Sequence, residues 1–239
     1  MNKRFQKLIN LYRKFGLKKA CILLFHILIS KIYRKNDDLL LLMDLNKEIK
    51  FSGKSRIQIQ SIENHHFPLL IQFNKKYREA QRITYLTGYQ KNGYKGYLAF
   101  INNELIGYMW WVDNKIIPTK NHPSIFRFEL CLKDDDIYWF DLFIVPNYRG
   151  SGYAVEFISK ITFELRKLGY NRAMGLVASD NRPAKLFYFI CGNKIVKHFI
   201  SYEWFSLFLF QDEKIFIKNS RWHPVHPYDH RLLFSLKRK

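Results

Sequence analysis

A glycine-containing turn between a strand and a helix holds the residues of this sequence that are best suited to chemistry. The run 141–145 (Asp-Leu-Phe-Ile-Val) predicts a buried strand, which Pro146 ends because proline has no N–H for a ladder hydrogen bond. Residues 147–152 (Asn-Tyr-Arg-Gly-Ser-Gly) predict a turn, and apolar residues recur at helical spacing over 155–168. The unpaired amides and the positive dipole of a helix start attract anions. We therefore expect a phosphate site here, with Arg149 adding a charge that suits a pyrophosphate.

A second strand and helix follow this turn. Residues 172–177 predict the strand, and Asp180 or Asn181 can cap the helix that carries Tyr188 before a turn at 191–193. A glycine turn alone often serves only strand-to-helix packing, but the two elements in succession indicate more than packing.

The two elements resemble those of the GNAT superfamily, the acyl-CoA-dependent N-acyltransferases. The pyrophosphate loop of that family has Gln or Arg, any two residues, Gly, any residue, and Gly or Ala, and it stands here as Arg149-Gly-Ser-Gly-Tyr-Ala154. The next family element has its motif positions at Asn181, Ala184, Phe187, Tyr188 and Gly192. The resemblance covers roughly residues 55–217. It departs at Asn193, where an aromatic residue usually follows the glycine, which concerns packing more than chemistry.

The resemblance implies an α/β fold with a mixed sheet, and acetyl-CoA as the co-substrate. It implies that the CoA pyrophosphate lies on the backbone of the turn and that Asn181 bonds the pantetheine arm or caps its own helix. In the family, a tyrosine at the position of Tyr188 usually protonates the departing thiolate, and the amide of Val145 would polarise the thioester carbonyl. The cofactor-binding residues that it implies are Val145, Arg149, Gly150, Ser151, Gly152, Tyr153, Ala154 and Asn181.

The base that takes the amine proton has three candidates. Asp141 lies on the strand that leads to the turn and shares strand parity with Val145, and Glu129 lies on the strand predicted next to it. Either carboxylate could instead be an ordinary ion-paired residue, which leaves water as the third candidate. The sequence therefore names Tyr188, Asp141 and Glu129 as catalytic candidates and no metal ligands.

The length and composition indicate one catalytic domain with appended segments. The chain has 239 residues, 48% of them hydrophobic, which suits one substantial core. Its three widely separated cysteines predict neither a disulfide framework nor a zinc site. We expect a basic amphipathic helical extension at 1–38, the acyltransferase domain at 39–217 and an aromatic, histidine-containing tail at 218–239.

The domain pattern predicts further strands and helices. Helices are expected at 64–77 and 78–87, and strands at 39–45, 56–61, 97–101, 105–112, 126–133, 137–145, 195–210 and 215–217. Asn102 and Asn103 predict a hairpin turn.

The extension concentrates positive charge. The whole chain carries a net charge of +20, and residues 1–35 hold ten basic residues and no acidic one. The apolar run 20–29 is too short for a membrane span, which takes about 20 residues. The segment predicts either a helix that binds an anionic membrane surface from the cytoplasmic side or one that packs on the domain or a partner.

We therefore predict an enzyme that transfers an acetyl or short acyl group from acyl-CoA to a primary amine. An amino sugar of surface-polysaccharide synthesis is the expected acceptor if the extension holds the enzyme at a membrane. The alternatives are acetylation of a protein lysine or N-terminus, a domain that binds acyl-CoA without catalysis, and a nucleic-acid-binding module. The last is disfavoured because the aromatic residues, 17% of the chain, lie mainly in predicted strands instead of alternating with the basic run.

Overall fold

The computed structural model describes residues 33–50, 56–78, 81–116, 121–204 and 207–215. Their helices and strands, in chain order, are β1 (Tyr33–Asp44), β2 (Gln58–Ser61), α1 (Phe67–Tyr77), α2 (Gln81–Asn92), β3 (Lys95–Ile101), β4 (Glu104–Asp113), α3 (Pro123–Arg127), β5 (Asp136–Ile144), α4 (Tyr153–Lys167), β6 (Arg172–Ala178), α5 (Arg182–Ile190), β7 (Lys194–Trp204) and β8 (Leu207–Ile215). The predicted amphipathic helix before Tyr33 and the predicted tail at 218–239 lie outside the described residues. No helix in the described ranges is long and apolar enough to cross a membrane.

The described strands form one sheet in the order β2-β3-β4-β5-β6-β1-β7-β8. Neighbouring strands are antiparallel except for β5 and β6, which run parallel. Helices α1, α2 and α3 pack on one face, and α4 and α5 pack on the other. This mixed sheet with helices on both faces confirms the predicted α/β fold.

Helix α4 is the main helix of the second face. Its residues Phe157, Ile158, Ile161 and Leu165 are all fully buried and recur along one side of the helix. Burial of each such side chain contributes about 1.5–3 kcal/mol. The helix ends before Gly169, whose φ of +88° is a left-handed conformation that glycine adopts without steric cost. This packing fixes the start of α4 against the end of β5.

Strand β1 lies in the interior of the sheet, between β6 and β7, and is longer than predicted. Its residues Asp38 and Asp44 pair with Ala178 and Arg172 of β6, and the strand runs on to Tyr33 along β7. The sequence predicted only 39–45 as strand, because the residues before Leu39 are mostly polar. Only their backbone pairing with β7 in the structure shows that they are part of the strand. The division into extension, domain and tail stays a prediction.

The predicted strand at 126–133 is wrong. His122 Nδ1 accepts a hydrogen bond from the Ser124 N–H (3.2 Å), and a proline occupies the first helical position, so the helix α3 begins there. The alternating apolar residues still enter the core, but from a helix and the turn after it: Ile125, Phe128 and Leu130 are all buried. The predicted hairpin is confirmed, since Asn102 and Asn103 have φ of 49° and 66° between β3 and β4.

Candidate active site

A wedge opens between the two parallel strands of the sheet. β5 and β6 are paired only from Asp136↔Arg172 to Tyr138↔Met174, and beyond that point they diverge toward their carboxyl ends. The indole of Trp139 lies over Gly175 at the start of the wedge, where an added Cβ would come within 2.6 Å of the ring. Ligands of open α/β sheets bind in this kind of crevice beyond the strand ends. The wedge is therefore the place to look for a bound substrate.

The predicted phosphate turn lies at the mouth of this wedge, after β5. Gly150 and Gly152 have φ of 78° and 84°, and α4 begins at the next residue. Within the described residues, no amide N–H over 150–155 has a hydrogen-bond partner; the first that does is Glu156, which donates to the Gly152 carbonyl at 2.9 Å. The turn thus presents a run of free donors at the positive end of a helix, which fits a pyrophosphate.

Arg149 faces the end of β5. Its Nε donates to the Ile144 carbonyl at 2.8 Å, and its guanidinium carbon lies 5.3 Å from the centre of the Phe143 ring. Neither Nη has a described partner, so both remain available to an anion. Ser151 Oγ donates to the Tyr148 carbonyl at 3.1 Å, which braces the turn.

The role that the resemblance assigned to the Val145 amide is contradicted. This N–H donates to the Ile106 carbonyl at 2.8 Å, because Val145 continues the hydrogen-bonding ladder between β4 and β5. Backbone groups of successive strand residues point to opposite sides. The N–H of Ile144 therefore points away from β4, toward the wedge, and after the bulge at Asp141 the N–H of Leu142 shares that direction.

Helix α5 forms the far side of the wedge and carries Tyr188. Asn181 caps the helix, its Oδ1 accepting from the Ala184 N–H at 3.2 Å, and its amide nitrogen keeps its donors. The Tyr188 ring is partly buried, with its centre 6.4 Å from that of the Trp139 ring. Burial, and secondly the neighbouring Cys191, raise the pKa of the Tyr188 hydroxyl far above its usual range. Tyr188 therefore stays protonated at neutral pH, as an acid for a thiolate must.

Asp141 lies in the bulge of β5, on the sheet face covered by α1 and α2. Arg78 Nη1 donates to Asp141 Oδ1 at 2.7 Å and to Tyr108 Oη at 2.6 Å, and Tyr108 in turn donates to Asn74 Oδ1 at 2.9 Å. Arg82 Nη1 lies 3.6 Å from the same Asp141 oxygen. Asp141 is 7% exposed, and its Oδ2 is buried without a partner among the described residues. The carboxylate thus contacts arginines at the end of α1 and in the first turn of α2 and keeps one oxygen free.

Glu129 is not on a strand next to Asp141. The neighbours of β5 are β4 and β6, and Glu129 follows α3 in a turn, with φ of 48° and its N–H directed to the Phe126 carbonyl (3.3 Å). The reason for naming it as a base was a strand that does not exist. Of the two carboxylates, the structure brings only Asp141 to the wedge.

The residues around Asp141 carry no signal in the sequence. Arg78 is 63 positions away from Asp141 in the chain, and Tyr108 lies on β4 in an apolar run that predicts only a buried strand. Burial, and secondly the charge of Asp141, raise the pKa of Tyr108 to about 12, so this tyrosine is a hydrogen-bond donor and not a base. No local pattern could have revealed these contacts.

Comparisons with known proteins agree with this geometry. The sequence model described as the acetyltransferase (GNAT) family matches residues 58–192. No curated protein sequence matches the chain.

Two solved structures show the fold. A GCN5-related glucosamine N-acetyltransferase region of a fungal multi-domain GH3 β-N-acetylglucosaminidase has a TM-score of 0.56 at 14% identity, over 76% of this chain and 22% of that one. A functionally unknown conserved protein from Staphylococcus epidermidis has a TM-score of 0.52 at 12% identity, over 74% of this chain and 65% of that one. The chain spans less than two thirds of either protein, and at these identities the likeness concerns the fold alone. The family match covers more than half of the sequence, and the chain therefore belongs to the acetyltransferase (GNAT) family.

Proposed function

We propose that this protein transfers an acetyl or short acyl group from acyl-CoA to a primary amine. The observation that carries the proposal is the run of free amides over 150–155, at the start of α4 and beside the diverging ends of β5 and β6. A pyrophosphate needs such donors, and a thioester arm needs a crevice that leads away from them. Membership of the acetyltransferase family supports the same co-substrate, acetyl-CoA.

In this proposal, backbone groups do most of the binding. The turn residues Gly150, Ser151 and Gly152, with Tyr153 and Ala154, hold the pyrophosphate through their N–H groups, and Arg149 adds charge. The pantetheine arm follows the wedge, within reach of the side-chain amide of Asn181. The N–H groups of Ile144 and Leu142 take over the role first expected of the Val145 amide, and one of them donates to the thioester carbonyl oxygen.

The chemistry is the aminolysis of a thioester. The nitrogen of the neutral amine attacks the carbonyl carbon, the C–N bond forms, and the C–S bond breaks with its electron pair on sulfur. Tyr188 donates its proton to that sulfur, and the proton of the amine leaves to water or to the free oxygen of Asp141. The arginine that holds the other oxygen of Asp141 favours water as the first acceptor of the proton.

We also propose that the acceptor is an amino sugar and that the enzyme acts while bound to an anionic membrane surface. The solved glucosamine N-acetyltransferase region shares the fold and supports an amino sugar. The basic segment 1–35 ends within the first residues of β1, which lie beside the carboxyl end of β6 and thus close to the wedge. A cytoplasmic enzyme held by this segment at the inner membrane face would meet amino sugars on lipid or nucleotide carriers.

Calorimetric titration of the full chain with acetyl-CoA tests the co-substrate. We expect a Kd in the micromolar range, loss of most of this affinity in Arg149→Glu, and no change in the matched reversal Arg166→Glu at the other end of α4. Absence of binding to acetyl-CoA and to longer acyl-CoAs would refute the proposal.

A thiol-release assay with amino sugars and a lysine peptide then tests the reaction. Release with amino sugars supports the proposed acceptor, and release only with the peptide identifies a protein acetyltransferase. Binding without release on any amine identifies a non-catalytic acyl-CoA-binding domain.

Sedimentation with lipid vesicles tests the membrane surface. We expect the protein to bind vesicles that contain anionic phospholipid and not neutral ones, and the double reversal Lys18→Glu, Lys19→Glu to weaken that binding. Equal sedimentation with both kinds of vesicle, or with neither, contradicts the membrane proposal.

A further inference from the structure

Three arginines converge on the carboxyl end of β5, on the sheet face covered by α1 and α2. Arg78 and Arg82 both approach Asp141 Oδ1, at 2.7 and 3.6 Å. The guanidinium carbons of Arg78 and Arg149 lie 4.8 and 5.3 Å from the centre of the Phe143 ring. We call Arg78, Arg82 and Arg149 the arginine cluster. It borders the wedge on the side opposite α4 and α5, from which an acceptor can approach the thioester.

The cluster has more positive charge than its described neighbours neutralise. Asp141 is the carboxylate that Arg78 and Arg82 share, and its closest partner is Arg78. Arg82 has an exposed fraction of 38%, a long 3.6 Å contact to Asp141, and a guanidinium carbon 5.4 Å from the centre of the Tyr85 ring. Arg149 uses only its Nε within the protein. The one acidic residue between Arg78 and Arg82, Glu79, lies outside the described residues, and with it the arginines still outnumber the acids.

Unused guanidinium groups beside a reactive cleft select for an anion. The planar N–H donors of arginine match the oxygens of a phosphate, often two at a time. Aromatic rings hold the guanidinium groups in place, since Arg78 and Arg149 lie over the Phe143 ring and Arg82 lies over the Tyr85 ring. A structural ion pair would need only Arg78, because Arg78 alone already satisfies Asp141 Oδ1 and Tyr108.

We propose that the acceptor amine carries a phosphate group and that the arginine cluster binds it. The proposal rests on the proposed acyltransferase function and narrows its substrate class. The amine of the acceptor then points to the thioester in the wedge while its phosphate binds Arg82; Arg149, which the proposed function assigns to the pyrophosphate, adds positive charge to the same border of the wedge. A sugar phosphate and a sugar linked through phosphate to a nucleotide or lipid present the same group to the cluster.

Paired amines test this selectivity. The test compares kcat/KM, measured by thiol release, for glucosamine and for glucosamine 6-phosphate, which differ only in the phosphate. We expect the phosphorylated amine to be favoured by about tenfold to a hundredfold, as for one charge-assisted hydrogen bond, and Arg82→Gln to abolish most of that preference. The matched variant Arg166→Gln, on α4, should leave the ratio unchanged. Equal kcat/KM for the two amines would overturn the proposal.

A binding measurement keeps the proposal testable apart from turnover. In this experiment glucosamine 6-phosphate and glucosamine are titrated into the full chain saturated with CoA. We expect only the phosphorylated amine to bind, and we expect Arg82→Gln to weaken its binding. UDP-glucosamine added in a third titration separates a free sugar phosphate from a nucleotide-linked sugar. A failure of the acyltransferase function would show as absence of CoA binding.

A failure of this inference alone would show as intact CoA binding without any preference for the phosphorylated amines. If Arg82→Gln weakens the binding of acetyl-CoA itself, the cluster binds the co-substrate and the inference is wrong.

Discussion

Substitution of Gly150 by alanine tests whether the turn before α4 binds the pyrophosphate through its backbone. The residue has φ of +78° and its added Cβ would meet no atom within 4 Å, so the fold has room for it. Gly169, at the other end of α4, has φ of +88° and the same open surroundings. The two substitutions therefore impose the same backbone strain at opposite ends of one helix, and only the first is near the proposed ligand.

The expected magnitudes follow from the geometry. A side chain in the left-handed conformation costs roughly 1–2 kcal/mol, so Gly150→Ala and Gly169→Ala should lower the free energy of unfolding by similar amounts. Relaxation of that strain turns the amides that follow Gly150 away from the ligand. The loss of one charge-assisted hydrogen bond, worth about 1.5–3 kcal/mol, raises the Kd for acetyl-CoA about 10-fold to 150-fold.

Denaturant unfolding and calorimetric titration with acetyl-CoA measure the two effects on the same samples. Gly169→Ala should lose stability and keep its Kd, whereas Gly150→Ala should lose both. An unchanged Kd in Gly150→Ala, or an equal loss of affinity in both variants, would show that the backbone of this turn does not hold the pyrophosphate.

Three further predictions concern the acid, a buried ion pair and pH. Tyr188→Phe should lower kcat about 100-fold or more with little change in the Kd of acetyl-CoA, as measured by thiol release; an unchanged kcat contradicts its role as acid. Arg172→Met leaves the fully buried Asp136 without its ion-pair partner and should lower the free energy of unfolding by about 3–5 kcal/mol, whereas Lys167→Met, in an exposed pair, should cost less than about 1 kcal/mol; equal losses in denaturant unfolding contradict this contrast. Burial lowers the pKa of His122 from 6.5 to about 4. Because the unfolded chain then binds the proton more tightly than the folded one, the contribution of His122 to the free energy of unfolding is fully present above pH 6.5. It should fall by up to about 3 kcal/mol as the pH drops to 4, and the free energy of unfolding should depend less on pH in the capping variant His122→Asn.

The glycine turn before α4 and helix α5 could be predicted because their signals are local. Gly150 and Gly152 allow left-handed backbone, Asn181 caps the helix that it precedes, and the apolar spacing of α4 sets its buried side. Each of these depends on residues within a few positions of one another. The resemblance to a known family indicated that the turn and the helix belong to one site.

The same local reasoning failed at α3 and at Val145. The alternating apolar residues of 126–133 fit a strand, but His122 and Pro123 start a helix there, and the core accepts the same side chains from it. The Val145 amide is used because β4 provides a carbonyl for it, at Ile106. Periodicity shows which side chains are buried and does not show which backbone groups find partners.

The sequence by itself determined the turn, the helices beside it and the residue types of the site. The tertiary structure decided that β1 lies between β6 and β7, that β5 and β6 separate after Tyr138, and that Arg78 and Arg82 meet Asp141. The physical reason is the range of the interactions. Glycine conformation and helix capping are settled by neighbouring residues, whereas strand order and ion pairing depend on groups far apart in the chain that meet only when the whole core packs.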